Sequence, residues 1–377
     1  MKTAVLGGTF DPVHSEHIAI ALNAKERYGF DRVILEPTFN PPHKHCRITP
    51  YEERLTMLRL ASEEYPFIEV DETEKEMALE HAYSYLVLAE LKKKFAGDEL
   101  TYLIGSDSLM KFTEWRNPDK VAALIPILAV PRGDVREEAE AEAKRLNSVY
   151  AGAKISVTDF ECEEVSSSVI KLYLELKDYV KAARFVPEKA LRYIESKGLY
   201  SLYAPLTERL RSEMSERLFA HTVRTAEFAV GHAWSYDVDF DSAFLAAMLH
   251  DSRKQCPPLH PVESYDTDSK EVIHQYDGAE AASGVYGVKD ERIIDAIRYH
   301  TTAKPDMSAL GKLIFIADKL ESGRSYEGVE ELRALADKDI EACFRALLRH
   351  NYEYLMRSGA QIDPLTSRAY AWYNIAE

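Results

Sequence analysis

Several features that would place a protein quickly are scarce in this sequence. Its four cysteines, Cys46, Cys162, Cys256 and Cys343, are scattered without a CxxC pair, so neither a disulfide framework nor a thiolate metal site is signalled. That pattern fits a reducing cytoplasm. No apolar run reaches the length that spans a bilayer, and the opening run meets the Gly7-Gly8 pair too soon for a signal peptide. A cytoplasmic protein away from membranes is expected. Positive charge is scarce too, with 47 Lys and Arg against 63 Asp and Glu and a net charge of -16. A general nucleic-acid surface needs a basic footprint and is not expected here. Small anionic ligands remain open, because a nucleotide needs only a few local cations and backbone N–H groups. Internal repeats and low-complexity segments are absent, and nothing in the pattern speaks to oligomeric state.

What is present suggests two domains. A chain of 377 residues exceeds one average core, and 46% hydrophobic with 29% charged residues is an ordinary globular balance. In the first half, apolar runs at 3–6, 32–35, 67–70, 100–104 and 125–130 read as buried strands, with helical patterns between them at 15–28, 50–63 and 83–95. This alternation predicts an α/β doubly wound parallel sheet, with ligands at the carboxyl ends of its strands. After residue 203 the alternation stops. Ala204-Pro205 breaks the pattern, which gives domains at 1–203 and 213–377 joined by a linker at 204–212. The second domain reads as an all-α bundle, with helices at 218–233, 241–254, 269–286, 290–300, 309–320 and 340–358.

Two constellations carry chemistry. In Gly7-Gly8-Thr9-Phe10-Asp11-Pro12-Val13-His14-Ser15-Glu16-His17, the glycines allow a phosphate close to the backbone and the helix beginning near Ser15 offers its positive end. His14 and His17, three apart, can address one ligand. In the second half His250-Asp251 ends an apolar helical run, and His221, His274, His300 and Asp318 lie in helices with apolar stripes such as Ile293, Ile294 and Ile297. One histidine on such a face is usually a hydrogen-bonded core residue. Six such groups are explained most economically by a metal inside the bundle, and imidazole with carboxylate but no thiolate favours Fe, then Mn, with zinc behind.

The first half resembles the nicotinate-nucleotide adenylyltransferase family, over about residues 1–203, and so a Rossmann-like nucleotidyltransferase fold. The motif above is joined by Pro41-Pro42-His43-Lys44, Arg54 with Met57, Gly105-Ser106-Asp107-Ser108-Leu109 ahead of Trp115, Val130-Pro131-Arg132, and Ser166-Ser167-Ser168 before Lys171. The resemblance implies transfer of AMP from ATP to nicotinate mononucleotide with Mg²⁺. His14 and His17 would hold the triphosphate, Lys44 and Lys171 would add positive charge, and Trp115 would stack on the pyridine ring. Gly7, Gly8, Thr9, Phe10, Gly105, Asp107, Arg132, Ser167 and Ser168 would line the nucleotide. Three departures stand out: Glu16 in place of glycine, Lys171 in place of arginine, and Tyr83 and Leu86 in place of proline and threonine. They leave open a first domain that is a degenerate nucleotide-binding or assembly module. Another acceptor, such as phosphopantetheine, is a further alternative.

The second half resembles the HD-domain phosphohydrolases, and most closely the branch that splits diadenosine tetraphosphate symmetrically into two ADP. Ile273-His274, the run from Ile297 to Thr302, and the run from Ala317 to Arg324 extend the match. The resemblance implies a site for two divalent metals with His221, His250, Asp251, His274, His300 and Asp318 as ligands. Asp251 would bridge them and, with Lys254, serve catalysis, while Lys254 and Arg324 would meet phosphate. Gln275 stands where glycine is usual, with a small effect expected. Nucleoside monophosphates or cyclic dinucleotides remain alternative substrates.

Overall fold

The computed structural model describes residues 1–41, 47–79, 81–133, 135–163, 165–267 and 269–375. The chain forms two compact units that divide between Tyr200 and Ser201, with Glu175–Lys177 and Arg47 grouped with the second.

The first unit is built on six parallel strands: β1 (Lys2–Gly8), β2 (Arg32–Pro37), β3 (Ile68–Val70), β4 (Glu99–Gly105), β5 (Ile127–Val130) and β6 (Ile155–Val157). Their order is β3-β2-β1-β4-β5-β6, so the direction of winding reverses between β1 and β4. Val5 sits opposite Ile34 on one side and Tyr102 on the other. The strands read as continuous apolar runs because helices cover both faces. Ala4 and Leu6 pack with Ile18 and Ala21 of the helix Ser15–Tyr28, whereas Val5, one residue out of phase, packs with Val87, Leu88 and Leu91 on the opposite face. The short β6 has no counterpart among the predicted strands.

The second unit is helical throughout. Side-chain caps start its helices where the sequence offers them. Ser215 accepts from Leu218 N ahead of Glu216–His232, Asp239 from Ser242 N ahead of Phe240–Leu249, Asp290 from Arg292 N ahead of Glu291–Arg298, and Ser308 from Gly311 N ahead of Ala309–Leu320. A core of Phe315, Ile316, Leu320, Phe344, Leu347 and Tyr370 holds the last helices together. The expected linker at 204–212 is itself a helix, Ala204–Glu213. Pro205 lies in its first turn, where a missing N–H costs nothing, so the proline begins a helix and does not break one.

Two helix ends also differ from expectation. Phe240–Leu249 stops before His250 and Asp251, and Glu291–Arg298 stops before His300. These side chains therefore leave from the turns that follow the helices.

Candidate metal centre and nucleotide cradle

In the helical unit His221 comes from Glu216–His232, His274 from the first turn of Ile273–Gly284, and Asp318 from Ala309–Leu320. The ligand atoms of His221, His250 and Asp251 lie within 4.8 Å of one another, and so do those of Asp251, His274 and His300. Asp251 belongs to both groups. Its Oδ2 lies 3.6 Å from His221 Nε2 and 3.4 Å from His250 Nε2, and its Oδ1 lies 3.3 Å from His274 Nε2 and 3.4 Å from His300 Nε2. Asp318 Oδ1 joins the first group at 3.1 Å from His221 Nε2. All six residues proposed from the sequence thus meet, in two clusters that share one carboxylate.

The outer ring nitrogens decide what this cluster can hold. Nδ1 of His250, His274 and His300 faces the carbonyl oxygens of Ala247, Glu271 and Ile297 at 2.6, 2.8 and 2.7 Å, and Nδ1 of His221 faces Glu321 Oε1 at 3.1 Å. A carbonyl or carboxylate can only accept, so the proton of each neutral ring lies on Nδ1 and its Nε2 lone pair points inward. Four lone pairs and two carboxylates then converge. Asp251 Oδ1 is buried and has no hydrogen-bond donor among the described residues. That donor set fits a pair of divalent cations.

The titration directions reflect burial set against neighbouring charge. Burial, with His250 and His274 adding to it, pushes His300 down to about 4, so the ring is neutral near pH 7. For Asp251 burial works upward but is outweighed by His250, His274 and His300, and the carboxyl is held well below its ordinary value. For His250 burial works downward but Asp251 and Asp318 outweigh it, and the ring is raised.

Around the cluster, Lys254 Nζ donates to Asp251 Oδ2 at 2.7 Å, and Arg324 donates from Nη2 to Asp318 Oδ1 at 2.8 Å and from Nε to the Asp318 carbonyl at 2.8 Å. Both cations lie against carboxylates of the cluster. Two supporting residues were not singled out from the sequence. Buried Glu321 takes His221 Nδ1 on one oxygen, and Arg224 Nε and Gly323 N on the other. Arg224 crosses Gly323 so closely that a Cβ there would sit 2.5 Å from its Nη2. Lys319 donates to the His300 carbonyl at 3.1 Å and stands over the Phe315 ring. Glu321 lies three residues beyond Asp318, inside the run from Ala317 to Arg324 that carries the resemblance, but that run assigns it no role. His232 and His260 lie apart from the cluster, paired with Asp337 and Glu280.

The sheet unit carries the other constellation, where β1 and β4 end. Gly7 and Gly8 have a packing reason of their own, since a Cβ would come 3.1 Å from Tyr102 Oη at Gly7 and 3.2 Å from the Phe10 ring at Gly8. Phe10 holds a φ of 48° and meets the His17 ring edge to face. His14, only 2% exposed, precedes the helix Ser15–Tyr28, and its ring centroid lies 3.7 Å from that of His17. The His14 N–H donates to His17 Nδ1 at 3.1 Å, so His17 carries its proton on Nε2 and presents a donor there. His14 Nδ1 is buried without a partner among the described residues. Burial, then Arg132, pushes His14 down to about 3, and burial, then His14 and Arg132, holds His17 well below its ordinary value. Both rings are neutral.

The remaining expected contacts divide. Arg132 bonds through its N–H to Ser106 Oγ at 3.2 Å, lies against Gly105 where a Cβ would meet Nε at 3.3 Å, and reaches half-exposed Asp107 at 3.4 Å. Ser167 Oγ reaches the Pro12 carbonyl at 3.5 Å, and Ser168 follows it at the start of the helix Ser167–Glu175. Trp115 is half-buried on Phe112 and Tyr102. Lys44 lies outside the described residues.

Three findings modify the expected picture. Lys171 is not a spare cation, because its Nζ lies 2.5 Å from Asp11 Oδ2 and its charge balances that buried carboxylate, which also accepts from Tyr200 Oη at 2.7 Å. The Ser15 N–H, at the start of the helix expected to offer its positive end, donates to the Phe185 carbonyl at 2.6 Å. Glu16 accepts from Glu163 N at 3.1 Å. Arg54, one of the residues that carry the resemblance, is 1% exposed, and its guanidinium donates to the carbonyls of Thr9, Thr49 and Thr38 at 2.6, 2.9 and 2.9 Å and holds the motif loop in place.

Comparison with known proteins matches these two regions separately. Residues 5–172 match the cytidylyltransferase-like family model, and residues 218–323 match the HD domain model. A Mycoplasma genitalium protein named "Probable nicotinate-nucleotide adenylyltransferase/Ap4A hydrolase" is 27% identical over 93% of this chain and 97% of its own length. A "Probable nicotinate-nucleotide adenylyltransferase" of Endomicrobium trichonymphae is 33% identical over 53% of this chain and 98% of its own. The "Bis(5'-nucleosyl)-tetraphosphatase, symmetrical" of Bacillus subtilis is 31% identical over 43% of this chain and 92% of its own. With a parallel sheet carrying the paired histidines and a helical unit carrying the histidine and aspartate cluster, the chain belongs to the family in which a cytidylyltransferase-like, nicotinate-nucleotide adenylyltransferase domain is fused to an HD domain.

Proposed function

We propose that the chain is a bifunctional cytoplasmic enzyme that adenylylates nicotinate mononucleotide with ATP and cleaves diadenosine tetraphosphate symmetrically into two ADP. The observation that carries it is the pair of clusters sharing Asp251. His221, His250, Asp318 and Asp251 would hold one divalent cation, and Asp251, His274 and His300 the other, with iron the first candidate and manganese the second. When bound, such a pair lowers the pKa of a shared water and draws charge from a phosphoryl oxygen. Lys254 and Arg324, which neutralise the Asp251 and Asp318 carboxylates, would turn their charge to the polyphosphate. Symmetrical cleavage forms one P–O bond to water and breaks the bridging P–O bond between the second and third phosphates.

In the sheet unit, a phosphate oxygen of nicotinate mononucleotide attacks the α-phosphorus of ATP, taken as its Mg²⁺ complex, and pyrophosphate leaves. This chemistry needs no protein nucleophile, so positioning and charge stabilisation dominate. Neutral His14 and His17 would donate hydrogen bonds to the triphosphate, Arg132 would supply the nearby positive charge, and Trp115 would offer its face to the pyridine ring.

The test is metal analysis of anaerobically purified protein followed by product analysis. ADP as the sole product from diadenosine tetraphosphate supports the reading, and AMP with ATP contradicts it. Nicotinate adenine dinucleotide formed from ATP and nicotinate mononucleotide supports the other half. A second reading, in which only the hydrolase is active, is favoured by the Lys171 to Asp11 pair, which removes one expected phosphate contact. If Glu16→Gly raises adenylyl transfer from nothing to a measurable rate, that second reading holds.

A further inference from the structure

The residue after one ligand is tied to the two residues after another. Gln275 follows His274, and Thr301 and Thr302 follow His300. The Gln275 side chain is fully buried, and both ends of its amide are used. Its Oε1 accepts from Thr301 N at 3.2 Å and from Thr302 N at 3.3 Å, while its Nε2 donates to Thr302 Oγ1 at 3.1 Å. From the other side Thr366 Oγ1 donates to the Thr302 carbonyl at 3.0 Å. Held this way, Thr301 turns its hydroxyl inward, 3.0 Å from His300 Nε2 and 3.3 Å from His274 Nε2. The corresponding His221 and His250 pair has no such side-chain staple among the described residues; there Glu321 anchors one ring.

From this we infer that Gln275 is a positioning residue for one of the two cation positions, fixing the spacing of His274 and His300 and aiming the Thr301 hydroxyl at the ion they share. A buried amide hydrogen-bonded at both its oxygen and its nitrogen sets geometry more tightly than a packed apolar side chain, because bond directions are prescribed as well as volume. The Thr301 oxygen then serves as an added oxygen donor, to the cation or to water upon it. The inference rests on the two-cation reading above and sharpens it, since it makes the two positions separately tunable.

The test is a Mn²⁺ titration of the full apo chain, with bound ions counted by electron paramagnetic resonance. The natural protein is expected to take up two ions. Gln275→Leu, which keeps the volume and removes the hydrogen bonds, should weaken one ion by about 10- to 100-fold, the usual effect of losing an outer partner, and leave the other within about twofold. Thr301→Val should weaken the same ion by roughly tenfold, and it decides the matter if the Gln275 variant does not fold. Unchanged uptake of both ions, or equal loss of both, overturns the inference while leaving the two-cation reading standing. A natural protein that binds no Mn²⁺ overturns both.

Discussion

The helical and sheet units both place buried imidazoles beside a ligand site, yet they solve the burial problem in opposite ways. In the helical unit the rings keep company with Asp251 and Asp318, and the excess of inward lone pairs is a standing demand for positive charge. In the sheet unit His14 and His17 have no carboxylate partner among the described residues, and burial with Arg132 nearby keeps them uncharged. The first arrangement fits a cation. In the proposed reading the second meets an anion with neutral donors, whose desolvation is far cheaper than that of ions.

That contrast is open to attack by substitution. The largest effect belongs to Asp251→Asn, which removes the charge shared by both clusters. Hydrolysis and uptake of both cations should fall by more than the roughly 100-fold seen when an outer partner is lost, with adenylyl transfer unchanged; retention of either ion would show that the clusters are independent. His17→Ala should do the reverse, lowering adenylyl transfer by about 10²- to 10³-fold, as removal of one preorganised donor does, with metal content and hydrolysis intact in steady-state assays.

A pH test follows from His14. Its folded pKa of about 3 lies below the unfolded value near 6.5, so between those values the unfolded chain binds more protons. Stability should therefore fall as pH drops from about 6.5 towards 3, by at most about 3–5 kcal/mol from this ring. Denaturant unfolding at several pH values should show a flatter dependence in His14→Gln. The smallest change is expected from Glu321→Gln, which keeps an acceptor for His221 but loses the charge. Uptake of one cation should weaken by about tenfold, and calorimetric Mn²⁺ titration would show it; an unaltered titration would mean that His221 needs no charged anchor.

Much of this could be read in the residues. Strands β1, β2, β4 and β5 announce themselves because burial on both faces leaves no polar alternation. The three-residue β6 is too short to make a pattern, with Ser156 exposed at its middle. The six cluster residues were legible as polar groups on apolar helical stripes. Their orientation was not, because backbone carbonyls at Ala247, Glu271 and Ile297 hold the rings and carbonyls leave no trace in a sequence. Lys171 with Asp11 shows the other blind spot. A pair 160 positions apart has no local signature, so the sequence shows the Lys171 charge without the partner that neutralises it.

The course of Arg224 over Gly323 has a consequence for anyone redesigning this protein. Position 323 touches no proposed ligand, yet even a methyl group there would lift the guanidinium from Glu321, slacken the grip on His221 and loosen one wall of the cluster. It is a remote tuning screw, where the smallest enlargement of a residue that does no chemistry would be felt two contacts away.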